Sequence, residues 1–276
     1  MATEPMPNGV ANVAASTAER LACFIARQIC NGEFVTAGVA LPVPRAGVLL
    51  AHLTRCPDLH LTVADYFVNL AHLEVIPDFR AYADAWMAGQ AEAILPLEWR
   101  YELGRRGDLA FVGGLQVDRY GNGNLIGIGD DHRRLRVRGP GAVGSSSYNA
   151  LSRRYFIFVQ AHSPRVLVER CDFVSIVGWG AGGPDGRKAL GLGGGPELVI
   201  TPRAILDFEP ETKAMRLKHL LPGETVAGVQ GATGFPLLVP ADLESLPEPD
   251  PADLAVLRTR VDPQGILRSG AEQPAR

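Results

Sequence analysis

The stretch NGEFVTAGVALPVPRAGVLLAHLTRCPDLHLTV, residues 31–63, carries the pattern from which the fold is read. Asn31-Gly32 is a turn signal, and EFVTAGVA after it is a short apolar run broken by glycine, the mark of a buried strand. PRAGVLLAHLTR reads as a helix entered through Pro44, whose fixed φ suits a first turn. LHLTV then reads as a second buried strand. Strand, helix and strand in this order imply parallel neighbours joined by a right-handed crossover, with helices covering the sheet.

Upstream, STAE places Glu19 three residues after Ser16, a capping box, and Leu21, Phe24, Ile25 and Ile29 then form one apolar stripe of a helix. Downstream, LAFVGGLQV (109–117), RYFIFVQA (154–161), DFVSIV (172–177) and ELVIT (197–201) are further buried-strand candidates. AILDFEPETKAMRLKH reads as a hairpin closing around PET, PGETVAGVQGATG as a short helix, ADAWMAGQAE as a helix with Trp86 and Met87 in the core, and a last helix starts near Pro251. The expected organisation is a flexible arm at 1–14, one α/β domain at 15–268 and a tail at 269–276. Its fold class is an open, mainly parallel sheet with helices on both faces.

With 276 residues, 46% hydrophobic, the chain can bury a full core. A net charge of −3 with no charge block gives nucleic acid nothing to bind, so the expected partner is a small molecule or another protein. Cys23, Cys30, Cys56 and Cys171 show no C-x-x-C spacing, so neither zinc nor a disulfide framework is expected and the thiols read as reduced. The first residues, MATEPMPNGVANVAAS, lack a basic segment before an apolar one, and no run of about 18 apolar residues occurs. The expected location is the cytoplasm, away from membranes.

Glycines gather at 112–114, 121–129, 139–144 and 178–195, where close backbone approach to a ligand is possible. GPGAVG at 139–144 has the glycine spacing of a dinucleotide fingerprint, but its proline removes an amide and no acidic residue about 20 positions on closes a strand. A dinucleotide site is not supported.

Taken together, FVGGLQVDRYGNGN (111–124), IGIGDDHRRLRVRGPGAVG (126–144) and ELVITPRAILDFEPETKAMRLKHLLPGETVAGVQGATGF (197–235) resemble the β subunit of class I, glutaconate-type CoA-transferases. The likeness runs over roughly residues 18–265, with NGEFVTAGVALP matching the opening strand and turn. It implies that family's fold, an α-type partner subunit in a heteromer with the active site between the two, and an acyl-CoA substrate, with coenzyme A entering as part of that substrate and no permanent cofactor or metal. In the family's transferases a β-subunit glutamate, in a strand-end E-S-G or E-N-G motif, attacks the thioester to give an acyl anhydride and then a glutamyl-CoA thioester. Counted along this chain, the motif falls on Ala64-Asp65-Tyr66. A methyl group forms no anhydride, and Asp65, one residue later, faces the other side of a regular strand unless the turn re-aims it.

Carried over residue by residue, the resemblance implies thioester or oxyanion contacts from Gly38, Val39 and Ala40 in AGVALP, and from Gly113, Gly114 and Gln116 in GGLQV. Each backbone donor aimed at a developing oxyanion is worth about 3 kcal/mol. Asp118, Tyr120 and Asn122 serve either that site or the turn itself. Arg136, with Gly139 and Gly141, matches the family's CoA-binding arginine and glycine cluster. Arg134, Arg136 and Arg138 alternate on one strand face, as in an anion site or a charged edge strand. His132, beside two acids, reads as surface polar structure. Glu74 and Asp78, with His72 and Arg80, follow the altered motif where the family chain lines the active-site entrance, and Asp65 and Glu74 are the candidate catalytic carboxylates. Three functions follow. The chain serves hydrolysis, C–C cleavage or decarboxylation of a CoA ester without the glutamate; or CoA transfer through Asp65 or a partner residue; or it only completes the pocket of a catalytic α subunit.

Overall fold

The computed structural model describes residues 13–38, 40–63, 67–69, 75–80, 85–96, 98, 105, 107–142 and 144–270. Helix α1 (Thr17–Arg27) starts at the capping box: the Ser16 hydroxyl accepts the Glu19 N–H at 3.1 Å, and the Ser16 N–H donates to Glu19 Oε2 at 2.9 Å. Strand β1 (Phe34–Ala37), helix α2 (Pro42–Leu53) and strand β2 (His60–Val63) follow as the expected β-α-β unit, with β1 and β2 parallel. The helix begins at Pro42 and not at Pro44. Both prolines fit its first turn, where an N–H has no intrahelical acceptor.

Beyond β2, strands β3 (Phe67–Val68) and β4 (Ala93–Ile94) add antiparallel neighbours. Strand β5 (Leu109–Gly113) then crosses to the other side of β1. The chain leaves the sheet through β6 (Gln116–Asp118), β7 (Gly123–Asn124) and a hairpin of β8 (Gly127–Ile128) with β9 (Val137–Arg138), and returns as β10 (Arg154–Phe158). After β11 (Leu167–Val168), which pairs with β6, come β12 (Pro196–Ile200), β13 (Ala204–Phe208), β14 (Met215–Leu220) and β15 (Glu244–Ser245). Among the described residues, ten strands make the main sheet in the order β15-β14-β13-β12-β10-β5-β1-β2-β3-β4, and the five from β12 to β2 are parallel. The expected hairpin is β13 with β14.

Side-chain alternation along the central strands divides the interior in two. Phe111, Phe156, Phe158, Leu198 and Ile200 face one core, shared with α1, α2 and the helical segments after Pro251. Ala110, Val112, Tyr155, Ile157 and Val199 face the other, shared with Val117, Leu125, Tyr148 of helix Ser145–Leu151 and Val229 of helix Val226–Gly231. Helices therefore cover both faces.

Two strand expectations need correction. LAFVGGLQV is not one strand, because the chain leaves the main sheet after Gly113 and joins the small sheet at Gln116. DFVSIV is not a strand: Ile176 makes an isolated bridge to Gly123, and the Val177 carbonyl is taken by side chains, accepting from Asn149 Nδ2 and the Tyr155 hydroxyl at 2.8 Å each and from Arg187. Met87 is buried and Trp86 packs against the same core, as expected.

Helix α1 and the helical segment Leu257–Val261 are joined by a buried ion pair. Glu19 is 1% exposed and Arg258 5%; Arg258 Nε meets Glu19 Oε1 at 2.8 Å, its Nη2 meets Oε2 at 3.0 Å, and Nη2 also donates to the Val13 carbonyl at 3.0 Å. Arg258→Met leaves the carboxylate buried with the Ser16 N–H at 2.9 Å and, as its remaining cation among the described residues, Arg268 at 3.8 Å. We expect it to lower the unfolding free energy by about 3–5 kcal/mol. Urea denaturation checks this, with Glu19→Gln/Arg258→Met recovering much of the loss. A change in the single variant under about 1 kcal/mol would show that the pair does not hold the termini.

Candidate functional site

Running parallel, β1, β5 and β10 all end on the same side of the sheet, and a cavity of about 410 Å³ opens beyond their C-terminal ends. From β1 the chain moves to β2 on one side and later returns to β5 on the other, so the cavity lies at a reversal of winding, where open α/β sheets place ligands. Its wall includes Gly38 after β1, residues 111–115 at the end of β5, and Phe158, Gln160 and Ala161 at the end of β10.

Each turn here has a steric reason for its small residues. A Cβ on Gly38 would lie 3.0 Å from the Phe111 carbonyl oxygen and 3.2 Å from Leu41 Cδ1; on Gly114 it would lie 3.0 Å from Val117 Cγ2. Ala40 holds φ at +57°, a left-handed conformation that costs a non-glycine residue about 1–2 kcal/mol. The strained turn brings the chain from β1 straight into the N-terminus of α2 at the cavity wall. Among the described residues, the N–H groups of Ala40, Leu41 and Gly114 have no hydrogen-bond acceptor. All three residues line the cavity.

The structure assembles some of the sequence-derived residues and separates others. Gly38, Ala40, Gly113, Gly114 and Gly141 line the cavity. Val39, Ala64, Asp65, Tyr66, His72 and Glu74 lie outside the described residues. Gln116 is not on the wall; its Oε1 accepts from Asn124 Nδ2 at 2.7 Å and from the Asp172 N–H at 3.0 Å, tying β6 to neighbouring segments. Gly139 is also off the wall, needed because a Cβ would sit 2.2 Å from the Leu125 carbonyl oxygen. The Gly139 and Gly141 amides donate to Ile126 and Leu125 carbonyls at 2.9 and 3.0 Å, so this turn shapes the wall and presents no spare N–H there.

Arg136 is exposed between β8 and β9, and Arg134 and Arg138 are exposed with it. Their hairpin leaves the cavity rim after Leu125 and rejoins it at Pro140, and none of the three has a carboxylate partner among the described residues. Only Arg138 lies in a strand, so the expected strand-face row is largely a loop. Asp118 builds its turn: its Oδ1 accepts the Tyr120 and Asn122 N–H groups at 2.9 and 3.0 Å, and its Oδ2 accepts Asn122 Nδ2 at 2.8 Å. Burial pushes the Asp118 carboxyl above its ordinary range. His132 is exposed beside Asp131, and Asp78 is held by Arg80 Nη2 at 3.0 Å.

Three neutral polar residues on the wall, Ser145, Tyr148 and Gln160, were not singled out from the sequence. For Gln160 a signal existed: an amide side chain directly after the apolar run RYFIFV, at a strand end. Two residues further on, His162 is buried, with Nδ1 2.8 Å from Thr201 Oγ1 and Nε2 3.0 Å from Thr233 Oγ1. It ties the segment after β10 to the β12–β13 turn and to the end of helix Val226–Gly231. Among the described residues no cluster of three or more His, Cys, Asp or Glu side chains comes together, and no helix is long and apolar enough to cross a membrane.

No protein-family model matches the chain. It is 36% identical to the B subunit of glutaconate CoA-transferase from Acidaminococcus fermentans over 89% of this chain and 92% of that one, and 34% identical to the B subunit of 3-oxoadipate CoA-transferase from Pseudomonas knackmussii over 88% and 92%. It is 30% identical, over 80% and 84%, to the cholesterol ring-cleaving hydrolase IpdB subunit of Mycobacterium tuberculosis. The crystal structure of the Acidaminococcus fermentans glutaconate enzyme superposes with a TM-score of 0.81, covering 95% of this chain and 98% of that one. The decarboxylase AibA/AibB, 23% identical, shares the fold with a TM-score of 0.76 over 92% and 98%.

Burial, with the positive charge of Arg203 adding to it, holds the His162 imidazole down at about 4. The folded form thus stays neutral while an unfolded histidine protonates near 6.5. Its contribution is fully present above pH 6.5 and is lost as pH falls from 6.5 to 4, about 3 kcal/mol across that window. We expect denaturation midpoints of His162→Gln to depend less steeply on pH over this range than those of the natural chain. Parallel pH profiles would contradict the assignment.

Proposed function

Because the chain belongs to the β-type branch of the class I CoA-transferase family, we propose that it works with an α-type subunit on an acyl-CoA thioester held at the cavity beyond β1, β5 and β10. The relatives named above are single subunits or halves of two-part enzymes, which supports a partner for this chain too. The amides on the cavity wall fit the chemistry. Attack on a thioester carbon moves charge onto its oxygen, and amides of Ala40, Leu41 and Gly114 that have no acceptor among the described residues, on the cavity wall beside the N-terminus of α2, support a role in stabilising it.

Within the family, we read the reaction as one that does not pass through a β-subunit anhydride: hydrolysis, C–C cleavage or decarboxylation of the CoA ester. One observation carries this, the alanine at position 64 where counting along the chain puts the family's glutamate. Nucleophilic catalysis has no substitute for a missing attacking atom. A ring-cleaving hydrolase subunit 30% identical over 80% of the chain supports the same reading. The higher identity to two CoA-transferase subunits favours the competing one, transfer with Asp65 as nucleophile.

Trapping separates them. With acyl-CoA and either hydroxylamine or borohydride, the complex is expected to leave this chain's intact mass unchanged while substrate is consumed. An adduct mapping to Asp65 would establish transfer instead.

A further inference from the structure

We infer that Arg187, itself off the cavity wall, is the positioning residue for the part of that wall made by Ser145 and Tyr148, an inference that rests on the acyl-CoA reading above. Arg187 lies in the glycine-rich run at 178–195 and is 1% exposed. Its guanidinium is bonded to backbone carbonyls at Asn149, at Val177–Gly178 and at Gly193, segments brought together only by the fold. Nη2 donates to the Asn149 carbonyl at 2.6 Å and to that of Gly193 at 2.8 Å, Nε donates to Gly193 at 3.1 Å, and Nη1 donates to the Gly178 carbonyl at 3.2 Å and to that of Val177. The cation also lies over the Tyr155 ring, 5.7 Å from its centre.

The link to the wall runs through Asn149. Helix Ser145–Leu151 carries Ser145 and Tyr148 on the cavity wall, and at seven residues it depends on outside contacts to hold its place. Its N-cap, Gly144, has no side chain with which to cap it. At the other end the last carbonyls lack intrahelical donors and carry partial negative charge, so a cation there answers both needs. Arg187 brings that cation to the carbonyl of Asn149, the residue after Tyr148, and Asn149 Nδ2 returns a bond to the Val177 carbonyl at 2.8 Å. A buried cation must replace its water with hydrogen bonds, and the rigid fork of arginine does so in several directions at once, where the ammonium of lysine is a single point. The fork thus sets how far Ser145 and Tyr148 project toward a bound thioester, a distance to which such sites are sensitive at about the 1 Å level.

The test uses the complete complex with its α-type partner and measures calorimetric Kd for free CoA and for butanoyl-, glutaryl- and 3-oxoadipyl-CoA. The ratio of the free-CoA Kd to the acyl-CoA Kd reports what the acyl thioester gains at the wall. Arg187→Lys is expected to lower that ratio at least about fivefold while affinity for free CoA stays within about twofold, the scale of one hydrogen bond lost on the acyl side alone. In a Ser145→Ala/Tyr148→Phe background the same substitution is expected to change the ratio less than about twofold, because the groups it positions are gone. An unchanged ratio in the folded Arg187→Lys complex, or an equal fall in both backgrounds, would overturn the inference alone and leave Arg187 a stabilising brace. Asn149→Ala keeps Arg187 and removes only the bond from Nδ2 to Val177, so it carries the comparison should Arg187→Lys not fold: a fall of at least about threefold is expected, and no change would overturn the inference. Failure of every acyl-CoA to bind the natural complex more tightly than free CoA would overturn the acyl-CoA reading and this inference with it.

Discussion

Parallel pairing of Phe34–Ala37 with Leu109–Gly113 on one side and His60–Val63 on the other sets the position of the cavity. Parallel strands all finish on one side of a sheet, so their exits are brought together there, and reversal of winding between β1 and β5 keeps the two following connections from crossing the gap. The cavity is the space left between those exits. Pairing of Thr36 with Thr62 and Ala110, both on adjacent strands, fixes how far each exit projects, and the Thr62 hydroxyl donates to Thr36 Oγ1 at 3.0 Å inside the sheet.

That geometry leaves little room for side chains at the exits, which explains the residue choices. Gly38 is pressed against the Phe111 carbonyl, and Ala40 is held in a left-handed turn that glycine would adopt without strain. Strain of this kind persists where the surroundings over-determine it, and it gathers at ligand sites. Ala40 carries such strain on the cavity wall, while the glycines at 139 and 141 have spent their amides on Ile126 and Leu125.

Most of the fold was legible from local rules. The Ser16 box, the β-α-β unit at 31–63 and the β13–β14 hairpin each depend on neighbours close in sequence, where capping, periodicity and turn chemistry operate. LAFVGGLQV and DFVSIV were misread because their fates are set by distant partners. Val117 donates its N–H to the Val166 carbonyl at 2.7 Å, and the Val177 carbonyl is claimed by Asn149, Tyr155 and Arg187. The candidate site divides the same way. Gly38, Ala40, Gly113 and Gly114, carried over from the family resemblance, lie on the cavity wall, whereas Tyr148 and Ser145 reach the cavity from a short helix whose position no local pattern announces. Gln116 and Gly139 matched a family pattern, yet in space they brace the wall from behind.

The central claim is that the cavity beyond β1, β5 and β10 holds the acyl thioester. The most direct measurement is a crystal structure of the two-subunit complex with an acyl-CoA analogue whose thioester sulfur is replaced by a methylene. The account predicts the analogue's carbonyl oxygen within hydrogen-bonding distance of the Ala40, Leu41 or Gly114 amide, with its acyl chain against Phe111, Leu125 and Phe158. An analogue bound with its acyl chain elsewhere, such as the groove by Trp179 and Lys213 at the opposite end of the sheet, would contradict it.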